Sequence, residues 1–85
     1  PFISANIYYK NTARRVFPSH IVKMIDDLKV TIFGLTTEDT PIKSNPEYSK
    51  NLRFTPVEEE AKKVVPWLRR NTDVLIGLTH AGHYE

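Results

Sequence analysis

The sequence predicts an α/β fold with one hairpin and one βαβ crossover, on three observations. Val74-Leu75-Ile76-Gly77-Leu78 is a continuous apolar run, and a strand apolar on both faces belongs in a covered parallel sheet. Thr55-Pro56-Val57-Glu58-Glu59-Glu60 has the composition of a helix start, and an apolar stripe follows it. Two β-rich stretches, Val16–Ile25 and Leu28–Leu35, flank the pair Asp26-Asp27, which suits a hairpin turn because Asp tolerates positive φ. Strand 28–35, helix 56–70 and strand 74–79 then form one crossover, expected to be right-handed.

Taken in order, Phe2–Tyr8 is short, alternately apolar and rich in β-formers, so it reads as a strand. Asn11–Arg15 is polar and reads as a turn. After the hairpin, Thr36–Pro41 is a polar loop. Ile42–Phe54 contains Asn45-Pro46 and little periodicity, so it reads as irregular. In the helix, Thr55 is the candidate cap, Pro56 takes the first helical position, and the three glutamates form a charged face at the positive end of the dipole. Val57, Ala61, Val64, Val65 and Leu68 form the apolar stripe. Trp67 reads as a core residue. Pro66 removes one backbone hydrogen bond and is expected to kink the helix or divide it. Asn71-Thr72-Asp73 ends the helix and leads into the last strand.

Eighty-five residues make one small domain at most, burying about 60–65% of the unfolded chain's surface. Twelve basic against ten acidic side chains leave a net charge of +2, too mild and too scattered to imply a nucleic-acid polymer or a membrane surface as partner. With no cysteine, disulfide frameworks and thiolate metal sites are excluded. No apolar run approaches the ~20 residues that span a bilayer. The chain opens at Pro1-Phe2-Ile3 without a signal-like lead-in and stops at His83-Tyr84-Glu85, just after its most apolar strand. Both ends read as cuts through a larger fold, so residues 1–85 are expected to be a partial domain.

Ligands of open α/β sheets collect beyond the carboxyl ends of the strands. Here those ends are Thr36–Thr40 and Thr79–His83, which the crossover places on one rim. His80 stands at its centre. A neutral imidazole is a common metal ligand, and a rim histidine held only by hydrogen bonds is the plain alternative. His80 and His83 form an H-x-x-H pair, a weak signal off a helix. Glu38 and Asp39 read either as an acid–base pair or as solvated loop carboxylates. His20 lies within a strand and reads as a surface or half-buried residue.

Four blocks occur in the order found in bacterial 5′-nucleotidases. They are Ser4-Ala5-Asn6-Ile7-Tyr8, Ile32 through Thr40, Asn45-Pro46-Glu47-Tyr48, and Asp73 through His80-Ala81-Gly82-His83-Tyr84. Over nearly its whole length the chain resembles the periplasmic 5′-nucleotidase/UDP-sugar hydrolase family, of the calcineurin-like metallophosphoesterases. The resemblance implies an internal fragment of a metallophosphoesterase α/β sandwich, in a periplasmic or otherwise exported parent. It also implies that this parent hydrolyses nucleotide 5′-monophosphates and UDP-sugars. Two divalent metal ions (Zn, Mn, Co or Mg) would activate water and clamp the attacking and leaving oxygens. The family's Thr-His-x-Gly ligand falls on His80, and no other ligand carries over. The family's Asp-x-His, Gly-Asn-His-Glu and Gly-His-Ser blocks have no counterpart in these residues. The 85-residue chain alone is therefore expected to be inactive and to self-associate or lean on the rest of its parent. A cyclic-nucleotide phosphodiesterase of the same superfamily and a non-catalytic α/β binding module are the alternatives.

Overall fold

The computed structural model describes residues 2–37 and 50–80. Among these, four strands precede a helix and a fifth follows it. They are β1 (Ile7–Tyr9), β2 (His20–Ile25), β3 (Leu28–Thr36), β4 (Leu52–Phe54), α1 (Val57–Arg69) and β5 (Val74–His80). One sheet has the order β2-β3-β5, and β1 and β4 form a second, two-stranded antiparallel sheet.

The hairpin forms as expected. Ile25 pairs with Leu28, leaving a two-residue loop in which Asp26 holds φ 57°. β3 and β5 pair in parallel from Val30↔Val74 to Thr36↔His80, with α1 between them in sequence. Helix and sheet enclose one core of Ala5, Phe33, Leu35, Val64 and Leu68. Val57, Ala61, Val65 and Leu75 pack against it. The predicted stripe therefore faces the sheet. At the other end of the sheet the Asp73 carboxylate accepts from the Lys29 N–H (2.8 Å), and the Asp73 N–H donates to the Lys29 carbonyl (2.9 Å). These two bonds pin the start of β5 beside the start of β3.

Several expectations need correction. The strand expected over Phe2–Tyr8 shrinks to β1, because its first half bonds to two different neighbours. The Ser4 N–H reaches Pro18 and the Ala5 N–H reaches Gly34, so no single ladder forms. The strand expected from Val16 starts only at His20, since Pro18 has no N–H to give a ladder. Val16 instead bonds back to Ile7, closing a turn in which Asn11 holds φ 64°. Phe54 closes the stretch read as irregular, yet residues 52–54 form β4 against β1. The rest of that stretch, through residue 49, lies outside the described residues.

Thr55 does not cap α1. Pro56 occupies the N-cap without a side-chain bond, and the Thr55 hydroxyl donates to Glu60 instead. Pro66 does not divide the helix. Lys62, whose carbonyl loses its partner, and Pro66 both face solvent, where water can take the freed acceptor. Trp67 is not in the core; it is 53% exposed. Glu60 is no part of a solvated face. It is 1% exposed, a central buried group of the fold.

Candidate functional site at the strand rim

Strand alternation sorts the side chains of β5. Leu75 packs into the helix-side core, so Val74, Ile76, Leu78 and His80 point to the opposite face. His80 is the last residue of β5 and stands on the carboxyl rim beside Thr36, as the topology predicts. Thr37 fastens this corner by donating both its N–H and its hydroxyl to the His80 carbonyl, each at 3.1 Å.

The imidazole is half-buried and held on two sides. The Phe2 ring stacks on it (centroids 4.3 Å, 22°), and Phe17 meets Phe2 edge-on (4.6 Å, 64°). Its Nε2 lies 2.9 Å from the Ile3 carbonyl oxygen. A carbonyl can only accept, so Nε2 carries the proton in the neutral ring and Nδ1 carries the lone pair. The close passage of this segment depends on Gly34, where a Cβ would overlap the Ile3 carbonyl.

Under the rim lies a buried polar node that sequence reasoning missed. The Asn6 side-chain amide donates to the Thr36 and Thr55 carbonyls, both at 2.8 Å, and its Oδ1 accepts from the Thr36 N–H (2.8 Å) and the Ser4 hydroxyl (3.1 Å). That is its full capacity. By bonding both the N–H and the C=O of Thr36, Asn6 acts as a one-residue strand at the end of β3. Because the Ser4 proton goes to Asn6, the Thr36 hydroxyl donates to Ser4, at 2.7 Å. The rim is thus cross-braced from below.

A second buried node joins α1 to β1. Glu60 accepts from the Tyr8 hydroxyl (2.7 Å), an Arg15 Nη2 hydrogen (2.9 Å) and the Thr55 hydroxyl (2.8 Å). Burial pushes its carboxyl up, but these three bonds and the Lys63 charge outweigh burial and hold it below the ordinary carboxylate range. Burial, then the bond to Glu60, raises the Tyr8 phenol. The sequence did carry a signal. Position 60 falls in helical register with Val57, Val64 and Leu68, so an acid there is aimed at the core.

The remaining candidates fall elsewhere. His20 opens β2 on the helix side, with Nδ1 2.7 Å from the Ser19 hydroxyl and its ring edge-on to Trp67 at 5.7 Å. Burial, then the Arg15 charge, lowers its pKa. It is not near His80 in the fold's layers, since the two rings lie on opposite faces of the sheet. Glu38, Asp39 and His83 lie outside the described residues. Among the described residues no three His, Asp or Glu side chains gather into a metal site. They do not by themselves fit a metal centre; His80 offers one imidazole.

No family model matches the chain. Curated relatives do, and along its entire length. It is 45% identical to Protein UshA of Salmonella pullorum and 42% identical to a 5′-nucleotidase of Vibrio cholerae, in each case over 100% of this chain and 16% of the relative. The structure of the calcineurin-like phosphoesterase YfkN from Bacillus subtilis superposes with a TM-score of 0.73 at 22% identity, over 99% of this chain and 28% of that one, and shares its fold. The chain thus spans about a sixth of the length of these curated relatives. With the α/β architecture, the parallel β3–β5 pair and the whole-length identity in agreement, the chain is similar from end to end to one segment of the longer 5′-nucleotidases.

Proposed function

We propose that these residues form part of a two-metal phosphoesterase that hydrolyses nucleotide 5′-monophosphates and UDP-sugars outside the cytoplasm. In this reading they supply one metal ligand, His80. The observation that carries it is the position of His80. It ends a parallel strand at the carboxyl rim, where ligands of such sheets collect, on the sheet face away from the helix. The relatives' names point to nucleotides as substrates. No described helix is long and apolar enough to cross a membrane.

What this segment contributes is positioning. The stacked Phe2 ring and the Ile3 carbonyl fix the imidazole plane, and the Asn6 node fixes the rim beneath it. A ligand prepared this way loses little side-chain entropy when it engages. The other ligands must come from residues beyond those described. In the natural full-length protein, His80→Ala should lower metal content, measured by elemental analysis, and turnover of AMP together, with an unchanged circular dichroism spectrum. Full metal content and full activity in that variant would refute the assignment.

The sheet face that carries His80 also presents Val74, Ile76 and Leu78 to solvent. In this reading it is covered by the rest of the parent chain, or by a second copy when the 85 residues stand alone.

A further inference from the structure

On the other side of the sheet, a cleft of about 260 Å³ opens between α1 and the segment leading into β2. It is lined by Arg15, Ser19, Lys63, Val64 and Trp67. Three features give it a defined chemistry. First, it carries surplus positive charge. Arg15 is matched by Glu60, whose oxygens already accept three hydrogen bonds, whereas Lys63 is 3.9 Å from that carboxylate and its side chain is 68% exposed. Arg15 donates through Nε to the Ala5 carbonyl and through Nη2 to Glu60, its guanidinium lies 5.4 Å from the centre of the Tyr8 ring, and its side chain stays 33% exposed. Second, the indole of Trp67 is half open to solvent while the ring of His20 props it edge-on. Third, Val64 supplies an apolar floor and Ser19 a hydroxyl.

We infer that this cleft binds a small aromatic anion. The planar ring lies against Trp67 over Val64, and the phosphate, phosphonate or carboxylate sits between Lys63 and Arg15. Neither half of the cleft is complete alone. A lone exposed ammonium holds a bare anion weakly, because water and salt screen it. An indole alone favours any flat ring. Together they select a ligand with both parts, and the rigid helix sets the spacing between them. The site is separate from the rim, since His80 lies on the opposite face of the sheet.

The test is calorimetric titration of phenylphosphonate into the natural full-length protein, with methylphosphonate as the ring-free comparison. Phenylphosphonate should show a saturable binding event, about fivefold tighter than that of methylphosphonate. Lys63→Gln should weaken it by about fivefold, the effect of one exposed charge contact, and Trp67→Ala should weaken it to the level of methylphosphonate. His80→Ala should leave it in place. Both cleft positions are exposed on α1, so circular dichroism should be unchanged in either variant. The inference is overturned if no binding heat appears, or if methylphosphonate binds as tightly. It is also overturned if the event vanishes in His80→Ala while surviving Lys63→Gln and Trp67→Ala, which would place the ligand at the rim.

Discussion

At the scale of single residues, two buried polar groups organise the molecule. Asn6 and Glu60 each spend most of their hydrogen bonds on partners far away in sequence, and each joins segments that the core alone would leave free to shift. Glu60→Gln keeps the shape but removes the charge facing Arg15, and its amide turns a donor toward groups that also donate. A loss of about 1–3 kcal/mol is expected, the cost of buried donors left without an acceptor, read as a lower denaturant midpoint at neutral pH. The pH dependence has a definite sign. Because the folded carboxyl titrates below its unfolded value, the unfolded state binds more protons between the two. This contribution is complete above the ordinary carboxylate range and is lost as pH falls through the folded pKa. His20, lowered as well, adds a loss that begins as pH falls through the ordinary imidazole range. Melting curves across the acid range should therefore fall less steeply for Glu60→Gln than for the parent sequence, and parallel curves would show that Glu60 is not the group responsible. Gly34→Ala acts by another route. Its Cβ would collide with the Ile3 carbonyl, costing about 1–3 kcal/mol by overpacking and releasing the segment that holds the His80 ring.

At the scale of elements, what could be read in the sequence divides along a physical line. The hairpin, α1 and β5 were legible because their signals are local: a two-residue turn with an Asp at positive φ, a helical stripe, a continuous apolar run. β1 and β4 were not, because each is three residues long and is held by pairing with residues distant from it in sequence. Three-residue strands carry no period to detect. Trp67 was misplaced for a related reason. Its neighbours Val64, Val65 and Leu68 reach the core, and a helical turn carries the residue between them out to the edge of the sheet. Likewise the rim position of His80 followed from topology, whereas the Phe2 and Ile3 contacts that hold its ring depend on a segment mistaken for a regular strand. Pro66 gives the element-scale prediction. The helix continues through it on its solvent side, with one backbone bond missing. Pro66→Ala restores an N–H facing the Lys62 carbonyl and should stabilise the chain by about 1–3 kcal/mol, with an unchanged core. A higher melting temperature with equal or greater helical ellipticity is the expected result. A destabilised variant would mean that the proline ring packs against something essential.

At the scale of the whole molecule, the decisive fact is that the main sheet has two faces, of which α1 covers one among the described residues. α1 covers the side of Phe33, Leu35 and Leu75. On the other side, Phe2 and Ile3 shelter only the rim end near Gly34 and His80. Beyond them Ile21, Ile32 and Ile76 stand in one row across β2, β3 and β5, with Val74 and Leu78 on either side in β5. Ile76 is 41% and Leu78 48% exposed, on a strand that pairs with β3 alone among the described strands. An apolar sheet face next to an open edge invites pairing with another chain. The 85-residue chain should therefore sediment as dimers or larger species at low micromolar concentration and bind a hydrophobic dye. Ile76→Lys sets a charge in the middle of that row. It should shift the population toward monomer without removing the helical signal, since the helix-side core is untouched. A cooperatively unfolding monomer that binds no dye, for the unsubstituted chain, would show that its own residues cover this face. The His80 rim would then need no further layer to complete it.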